Sequence, residues 1–314
     1  MKIEDTRKFF QSIIEREIIF IRKELQGCPR HQWTNVQVYK NYRFCNVHRC
    51  YDKTFILIDI LEKKLLEHKL GSLHPGLRTV LRWSASNDLI QWLIDNLAYN
   101  TSIAEELELA NTGKPERLFA SILDAYHNGI IHLVTGSFIV KRYGNDYEEM
   151  LAYYRVGSQF YAKMIQSSET IKSKDAVKFF KDNAPWCADF GAYCIVSDWL
   201  YLFPDKFSYK YEWTAYGPGA FNGINLIEST TKTTYLDKLR MLHSIWWNNG
   251  KELVAKVLAE TGLSYEGLDD LCIRKGFYPM TKLLEKPLML DVEHWLCEYA
   301  KYCRGWAKKK YVRN

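Results

Sequence analysis

Apolar residues recur at helical spacing along most of this chain, and that periodicity limits the folds it can adopt. Residues 4–26 place Phe10 and Ile14 on one stripe with charged residues opposite, the pattern of an amphipathic helix. Strand-like alternation is tempting only over 130–140, and that segment could equally be buried helix. The same helical spacing is found over 53–70, 78–98, 115–126, 146–166, 173–182, 189–202, 232–248, 250–261 and 290–304. The sequence therefore predicts a mainly α protein with a compact helical architecture.

Few residues interrupt this pattern. The chain has 8 prolines and 17 glycines in 314 residues, and it shows neither a linker-like stretch nor an internal repeat. A chain of this length can bury a sizeable core. We therefore expect one helical domain over residues 1–314, with 165–185 as the seam if the domain forms two lobes.

Composition and short motifs exclude several classes of protein. No apolar run is long enough to cross a membrane, and the residues after Met1 lack a signal-peptide core, so we expect a cytoplasmic protein without a membrane partner. The eight cysteines form no Cys-x-x-Cys pair, which argues against a structural zinc site. A Walker phosphate-binding motif is also missing from the sequence. The net charge of +6 permits a polyanionic partner without requiring one.

The segment 44–52 carries the most unusual polar pattern. Asn46, Arg49 and Asp52 stand at i, i+3 and i+6, which would place them on nearly one face of a helix. An amide, a guanidinium and a carboxylate in such a row could grip a polar ligand, and guanidinium geometry suits phosphate. The alternative is a helix whose charged residues pair among themselves.

A second pattern lies between the predicted helices 173–182 and 189–202. The intervening turn would give a helix-hairpin-helix, which can offer backbone N–H groups to a DNA phosphate. Asp198 follows the hairpin by about two helical turns, where its carboxylate could face a bound nucleotide. The alternative is an ordinary helical hairpin with a solvated aspartate.

Two further segments could bind a ligand. Gly217, Gly219 and Gly223 fall within seven residues, a density that permits close backbone approach and could cradle an anion, or could simply form a structural turn. Near the end of the chain, Glu298 and Lys301 share one helical face. They form either an ordinary surface pair or a partly desolvated acid–base site.

The order of these segments resembles one family over roughly residues 30–305. It is the family of phage-type α-glutamyl/putrescinyl thymine pyrophosphorylases, also described as amino acid:DNA transferases, which is akin to the helical domain joined to hydroxymethyluracil DNA kinases. The matching elements are Phe44-x-Asn46-Val47-x-Arg49-x-x-Asp52, the hairpin through Asp198, Gly217-Pro218-Gly219-Ala220-x-x-Gly223-x-Asn225 and Leu296-Cys297-Glu298-x-x-Lys301-Tyr302-x-Arg304. The resemblance implies a DNA-glycosylase-like fold and an enzyme that displaces pyrophosphate from modified thymine in DNA with an amine or amino acid.

The resemblance also implies catalytic roles. Arg49 with Lys301 or Arg304 would stabilise the departing pyrophosphate. Glu298 or Asp198 would act as the base that deprotonates the incoming amine.

Other residues would bind the substrate in this interpretation. Asn46 would hydrogen-bond the edge of the uracil, and Asp52 would hold the arginine of the same segment in place. Gly217, Gly219, Asn225 and Arg304 complete the predicted substrate-binding set. No protein ligands for a metal are predicted, although Mg²⁺ could assist with the pyrophosphate.

The implied partners are double-stranded DNA carrying modified thymine, a small amine or amino-acid donor, and a DNA-base kinase. For a phage protein the compartment would be the host cytoplasm. The sequence departs from the family pattern at His48, Cys50, Glu293 and Ala300, which bears on the substrate. Two other functions stay open: a DNA glycosylase or lyase acting on a modified thymine, and a non-catalytic DNA-binding partner of a kinase.

Overall fold

The computed structural model describes residues 3–134, 145–230 and 232–304. Helices make up most of these ranges, so the predicted mainly α fold is confirmed. The helices are α1 (Ile3–Phe20), α2 (Gln37–Asn41), α3 (Lys53–Glu67), α4 (Pro75–Ser84), α5 (Asn87–Tyr99), α6 (Thr101–Asn111), α7 (Glu116–His127), α8 (Asp146–Gln166), α9 (Ser173–Asn183), α10 (Asp189–Leu202), α11 (Pro218–Ile227), α12 (Tyr235–Thr261), α13 (Tyr265–Arg274), α14 (Met280–Glu285) and α15 (Met289–Cys303). Two-residue strands β1 (Ile171–Lys172) and β2 (Phe207–Ser208) pair in parallel.

The chain divides into two compact units. The first contains Met1–Asp52 and Tyr209–Asn314, and the second contains Lys53–Ser208. The segment 165–185, predicted as a seam between lobes, lies inside the second unit. The number of independently folding domains stays a prediction.

Two helix boundaries differ from the predicted ones for local reasons. The predicted helix 78–98 is two helices, because Ala85 adopts a left-handed conformation with φ 46° that ends α4, and the Ser86 hydroxyl then caps α5. Conversely, 232–248 and 250–261 belong to one helix, α12. Gly250 does not end that helix: a Cβ there would collide with the backbone of Glu285, so the glycine lets the following chain pack closely.

The first unit is built around α1, α11, α12 and α15. Trp246 of α12 and Trp295 of α15 meet in its core with ring centroids 4.6 Å apart. Helix α11 packs directly on α15, where a Cβ at Gly219 would overlap the thiol of Cys297 and one at Gly223 would overlap the carbonyl of Leu296. This packing brings the N-terminus of α11 to the middle of α15.

Two sequence expectations concern other parts of the chain. None of the helices in the described ranges is long and apolar enough to cross a bilayer. In the segment 130–140, for which strand or buried helix was predicted, residues 130–134 form turns and bends. The remaining residues of that segment lie outside the described ranges.

Candidate functional site

The segment 44–52 is not a helix, so the predicted helical row of Asn46, Arg49 and Asp52 is wrong. A single 3₁₀ turn spans Arg49–Tyr51, and the backbone is extended at both its flanking residues, His48 and Asp52. The three side chains therefore leave the chain in different directions. The side-chain amide of Asn46 instead closes the loop locally by donating to the Tyr51 carbonyl at 2.6 Å.

The physical reason is that side chains of α15 take the place of helical hydrogen bonds in this segment. Carbonyls and amides that a helix would pair along its own axis are bonded across to a distant part of the sequence. The contacts are Cys45 N–H to Glu298 Oε2 at 3.0 Å, His294 Nε2 to the Asn46 carbonyl at 3.0 Å, Trp295 Nε1 to the Val47 carbonyl at 3.0 Å, and Arg49 N–H to Asp291 Oδ1 at 3.2 Å.

A buried charge cluster anchors the segment at His48. Its Nε2 lies 3.1 Å from Glu17 Oε1, and its Nδ1 lies 3.5 Å from Asp291 Oδ2, with all three side chains fully buried. Burial opposes protonation of the imidazole, but the two carboxylates outweigh that effect and raise the pKa of His48 to about 9. Sequence reasoning missed this cluster. Its signal was Glu17, a charged residue on the apolar stripe of α1, four residues from both Ile13 and Ile21.

Arg49 and Gly217, both predicted to bind substrate or leaving group, are brought together by Glu293. The guanidinium of Arg49 lies 3.6 Å from Glu293 Oε2, and the other carboxylate oxygen accepts from the Gly217 N–H at 3.4 Å. Arg49 is 8% exposed and Glu293 is 3% exposed. Gly217 is the N-cap of α11, and no side chain caps that helix, so its first-turn amides point towards this cluster.

The other predicted glycine serves the packing of two helices. Gly219 gives the close backbone approach that its sequence context indicates, but the neighbour is Cys297 of α15. Asn225, further along α11, accepts a 3.5 Å hydrogen bond from the buried Lys238 ammonium, which also donates to the Glu228 carbonyl. Roles of Gly219 and Asn225 in substrate binding stay predictions.

Glu298 and Lys301 form a buried pair rather than a surface one. The Lys301 ammonium donates to Glu298 Oε1, and Glu298 is 1% exposed. Burial opposes the charged form of Lys301, but the charge of Glu298 more than offsets it and raises the pKa of the lysine. Arg304, by contrast, is exposed where α15 ends.

His294 marks the point where positive charges converge. Its Nε2 donates to the Asn46 carbonyl, which leaves Nδ1 with a lone pair. Burial and the charges of Arg49, Arg16 and Lys301 hold the pKa of His294 well below its usual value. The imidazole is therefore neutral beside three cations. Sequence reasoning did not single out this residue.

Asp198 belongs to the second unit, where it pairs with an arginine. Its Oδ1 lies 3.1 Å from Nε of Arg82, and both side chains are almost completely buried. The predicted alternative of a solvated aspartate is therefore wrong. The predicted order of helix, short turn and helix is confirmed as α9 and α10, and Trp186 in the turn is 59% exposed. The glycosylase-like detail of the architecture stays a prediction.

Metal ligation was also considered at these clusters. Within the described ranges, no group of three or more His, Cys, Asp or Glu side chains is arranged to hold a metal ion. A role for Mg²⁺ with the pyrophosphate stays a prediction.

Comparison with known proteins gives one match. The sequence profile of the family described as "5-hmdU DNA kinase, helical domain" matches residues 4–311. Curated proteins and solved structures yield no match.

Proposed function

Because the chain belongs to the family of the 5-hmdU DNA kinase helical domain, we propose that it is a transferase acting on pyrophosphorylated 5-hydroxymethyluracil in DNA. The reaction joins an amine or amino acid to the 5-methylene carbon. A bond forms between that carbon and the amine nitrogen, while the carbon–oxygen bond to the diphosphate breaks and the diphosphate leaves with the electron pair. One proton of the amine passes to a base.

Arg49 carries this proposal. Its backbone N–H is fixed by Asp291, and its guanidinium is held beside Glu293 in a nearly dry environment. A guanidinium that is already oriented stabilises charge developing on a leaving diphosphate without reorganising during the reaction. Lys301 lies close enough to act on the same histidine as Arg49, and the uncapped amides of α11 add further donors.

His294 is the base that this geometry favours. Glu298 already accepts hydrogen bonds from Lys301 and from the Cys45 amide, whereas Nδ1 of His294 carries a lone pair. Three cations lower the pKa of this imidazole, so the negative charge of a bound diphosphate offsets them and raises it again. The imidazole thus becomes a stronger base once the substrate is in place.

The proposed reaction requires specific partners. The target base must leave the DNA stack to reach buried groups, so the macromolecular partner is double-stranded DNA carrying the phosphorylated base. A DNA-base kinase supplies that base, and a small amine or amino acid is the second substrate. Mg²⁺ would assist by binding the diphosphate.

Nucleoside mass spectrometry tests this function. Duplex DNA containing pyrophosphorylated 5-hydroxymethyluracil is incubated with the protein and a mixture of amino acids and polyamines. We expect a new nucleoside whose mass equals thymidine with one donor attached. Free base with abasic sites would instead indicate a glycosylase, and DNA binding without any change in the nucleosides would indicate a non-catalytic partner of a kinase.

The role of His294 has its own test in the same assay. Replacement His294→Gln retains a polar side chain but removes the basic nitrogen, so transfer should fall about a hundredfold. The control is His132→Gln, which alters an exposed histidine of the second unit and should leave transfer unchanged. Equal rates for both variants would exclude His294 as the base.

A further inference from the structure

An open stack of aromatic rings stands at the first turn of α11. Tyr216 immediately precedes the N-cap, and its ring lies 3.9 Å from that of Tyr235 at an angle of 23°. Phe221 lies 6.2 Å from the same tyrosine at 24°. Tyr216 is 55% exposed and Phe221 is 48% exposed. These three residues, called the aromatic stack below, leave flat ring surface open to solvent, which is the kind of platform on which a base stacks.

Tyr235, the inner ring of the aromatic stack, carries a hydroxyl without a partner. The residue is 9% exposed, and within the described ranges its buried hydroxyl makes no hydrogen bond. Burial and the nearby charge of Glu293 raise the pKa of the phenol, so the hydroxyl keeps its proton. A buried donor without an acceptor costs free energy, which a bound ligand with an acceptor oxygen would recover.

Glu293 supplies the acceptor next to this donor. Its carboxylate lies near enough to Tyr235 to act on the phenol, and it also contacts Arg49 and the Gly217 amide. A carboxylate can accept about four hydrogen bonds, so further donors can be accommodated. The structure thus places a hydroxyl donor and a carboxylate acceptor side by side at the aromatic stack.

We propose that the aromatic stack, with Tyr235 and Glu293, binds the uracil ring of the flipped-out base and distinguishes it from cytosine. The Tyr235 hydroxyl donates to O4 of the ring, and N3–H of the ring donates to Glu293. Cytosine reverses both groups, because it has an amino donor at position 4 and an acceptor at N3. The outer face of Tyr216 stacks on the ring. This inference rests on the proposed function, since it assigns the base-binding part of the same site.

Binding of DNA without chemistry tests the inference. The full chain is titrated with duplexes that carry either 5-hydroxymethyluracil or 5-hydroxymethylcytosine at one mispaired position, since a mispair lowers the cost of flipping. Fluorescence anisotropy gives both dissociation constants, and a neighbouring 2-aminopurine reports extrusion of the base. The wild-type protein should bind the uracil duplex more tightly.

Replacement Tyr235→Phe removes only the hydroxyl. It should reduce the preference for the uracil duplex about three- to tenfold, the effect of one hydrogen bond, without lowering the urea midpoint of unfolding. Replacement Tyr216→Ala should weaken binding of both duplexes about tenfold through lost stacking. The matched control is Tyr99→Phe, because Tyr99 is 93% exposed in the second unit, and it should change neither quantity.

The outcomes separate this inference from the proposed function. An unchanged preference in Tyr235→Phe overturns the inference, whether or not the protein transfers amines. A lost preference in that variant supports the inference even if the wild-type protein transfers nothing, in which case only the proposed reaction fails. A preference lost equally in Tyr99→Phe would show a nonspecific effect and would also overturn the inference.

Discussion

Each unit of the protein contains one buried arginine–carboxylate pair that the sequence marks as a catalytic candidate, and the two pairs differ. In the second unit, Arg82 and Asp198 both stand on helices, lie 3.1 Å apart and have side chains at most 2% exposed. In the first unit, Arg49 stands on a short turn, lies 3.6 Å from Glu293 and is 9% exposed in its side chain.

The difference indicates different roles. Arg82 also donates to the Cys194 carbonyl of α10, so its pair joins two helices within a dry core. The pair of Arg49 adjoins an uncapped helix and the exposed aromatic stack, where a ligand can reach it. Burial and charge alone therefore do not identify a functional pair; access from solvent and the presence of donors left for a ligand do.

The largest expected effect comes from breaking the pair in the second unit. Replacement Asp198→Asn leaves the Arg82 guanidinium buried beside a neutral amide, which should lower the free energy of unfolding by about 3–5 kcal/mol. Urea denaturation followed by circular dichroism measures this. If the variant keeps its stability but loses transfer, Asp198 is catalytic and the comparison fails.

The pair in the first unit should respond to substitution in activity rather than in stability. Replacement Arg49→Lys keeps the charge beside Glu293 but loses the planar fork, so transfer should fall about a hundredfold while the free energy of unfolding changes by less than about 1 kcal/mol. Rates come from the nucleoside assay. The exposed Arg240 provides the control Arg240→Lys, and equal rates for the two variants would refute the role of Arg49.

The first unit should also lose stability in alkaline solution. The pKa of His48 is raised from 6.5 to about 9 in the folded protein, so its contribution is complete below pH 6.5 and is lost as the pH rises through 9. That shift corresponds to stabilisation on the order of 3 kcal/mol. Urea midpoints at pH 6 and pH 9.5 measure the loss.

The variant His48→Gln isolates this contribution. It should be less stable than the wild type at pH 6, and its own stability should change less between the two pH values. A wild-type protein whose stability is the same at pH 6 and pH 9.5 would exclude a charged His48.

The smallest effect is expected at the end of α15. Arg304 is exposed, so Arg304→Ala should change the free energy of unfolding by less than about 0.5 kcal/mol. If this residue contacts a DNA phosphate, binding should weaken modestly and the salt dependence of the dissociation constant should become slightly shallower. Unchanged salt dependence would place Arg304 outside the DNA interface.

Much of the fold could be predicted because helical periodicity is local. The stripe that includes Phe10 and Ile14 corresponds to α1, and the spacing over 146–166 corresponds to α8 with the same bounds. The candidate site was only partly predictable. Arg49 and Gly217 were identified by residue type, whereas His294 attracts attention only once three cations are seen around it.

The sequence by itself determined the helical class and the relation to 5-hydroxymethyluracil modification, since periodicity and motif order are written along the chain. Tertiary structure decided what each polar residue contacts. Segment 44–52 avoids a helix because side chains of α15, far away in sequence, satisfy its backbone. Asp198 likewise meets Arg82 only through packing of the second unit. Burial of a charge is affordable only with a partner, and partners distant in sequence become neighbours only on folding.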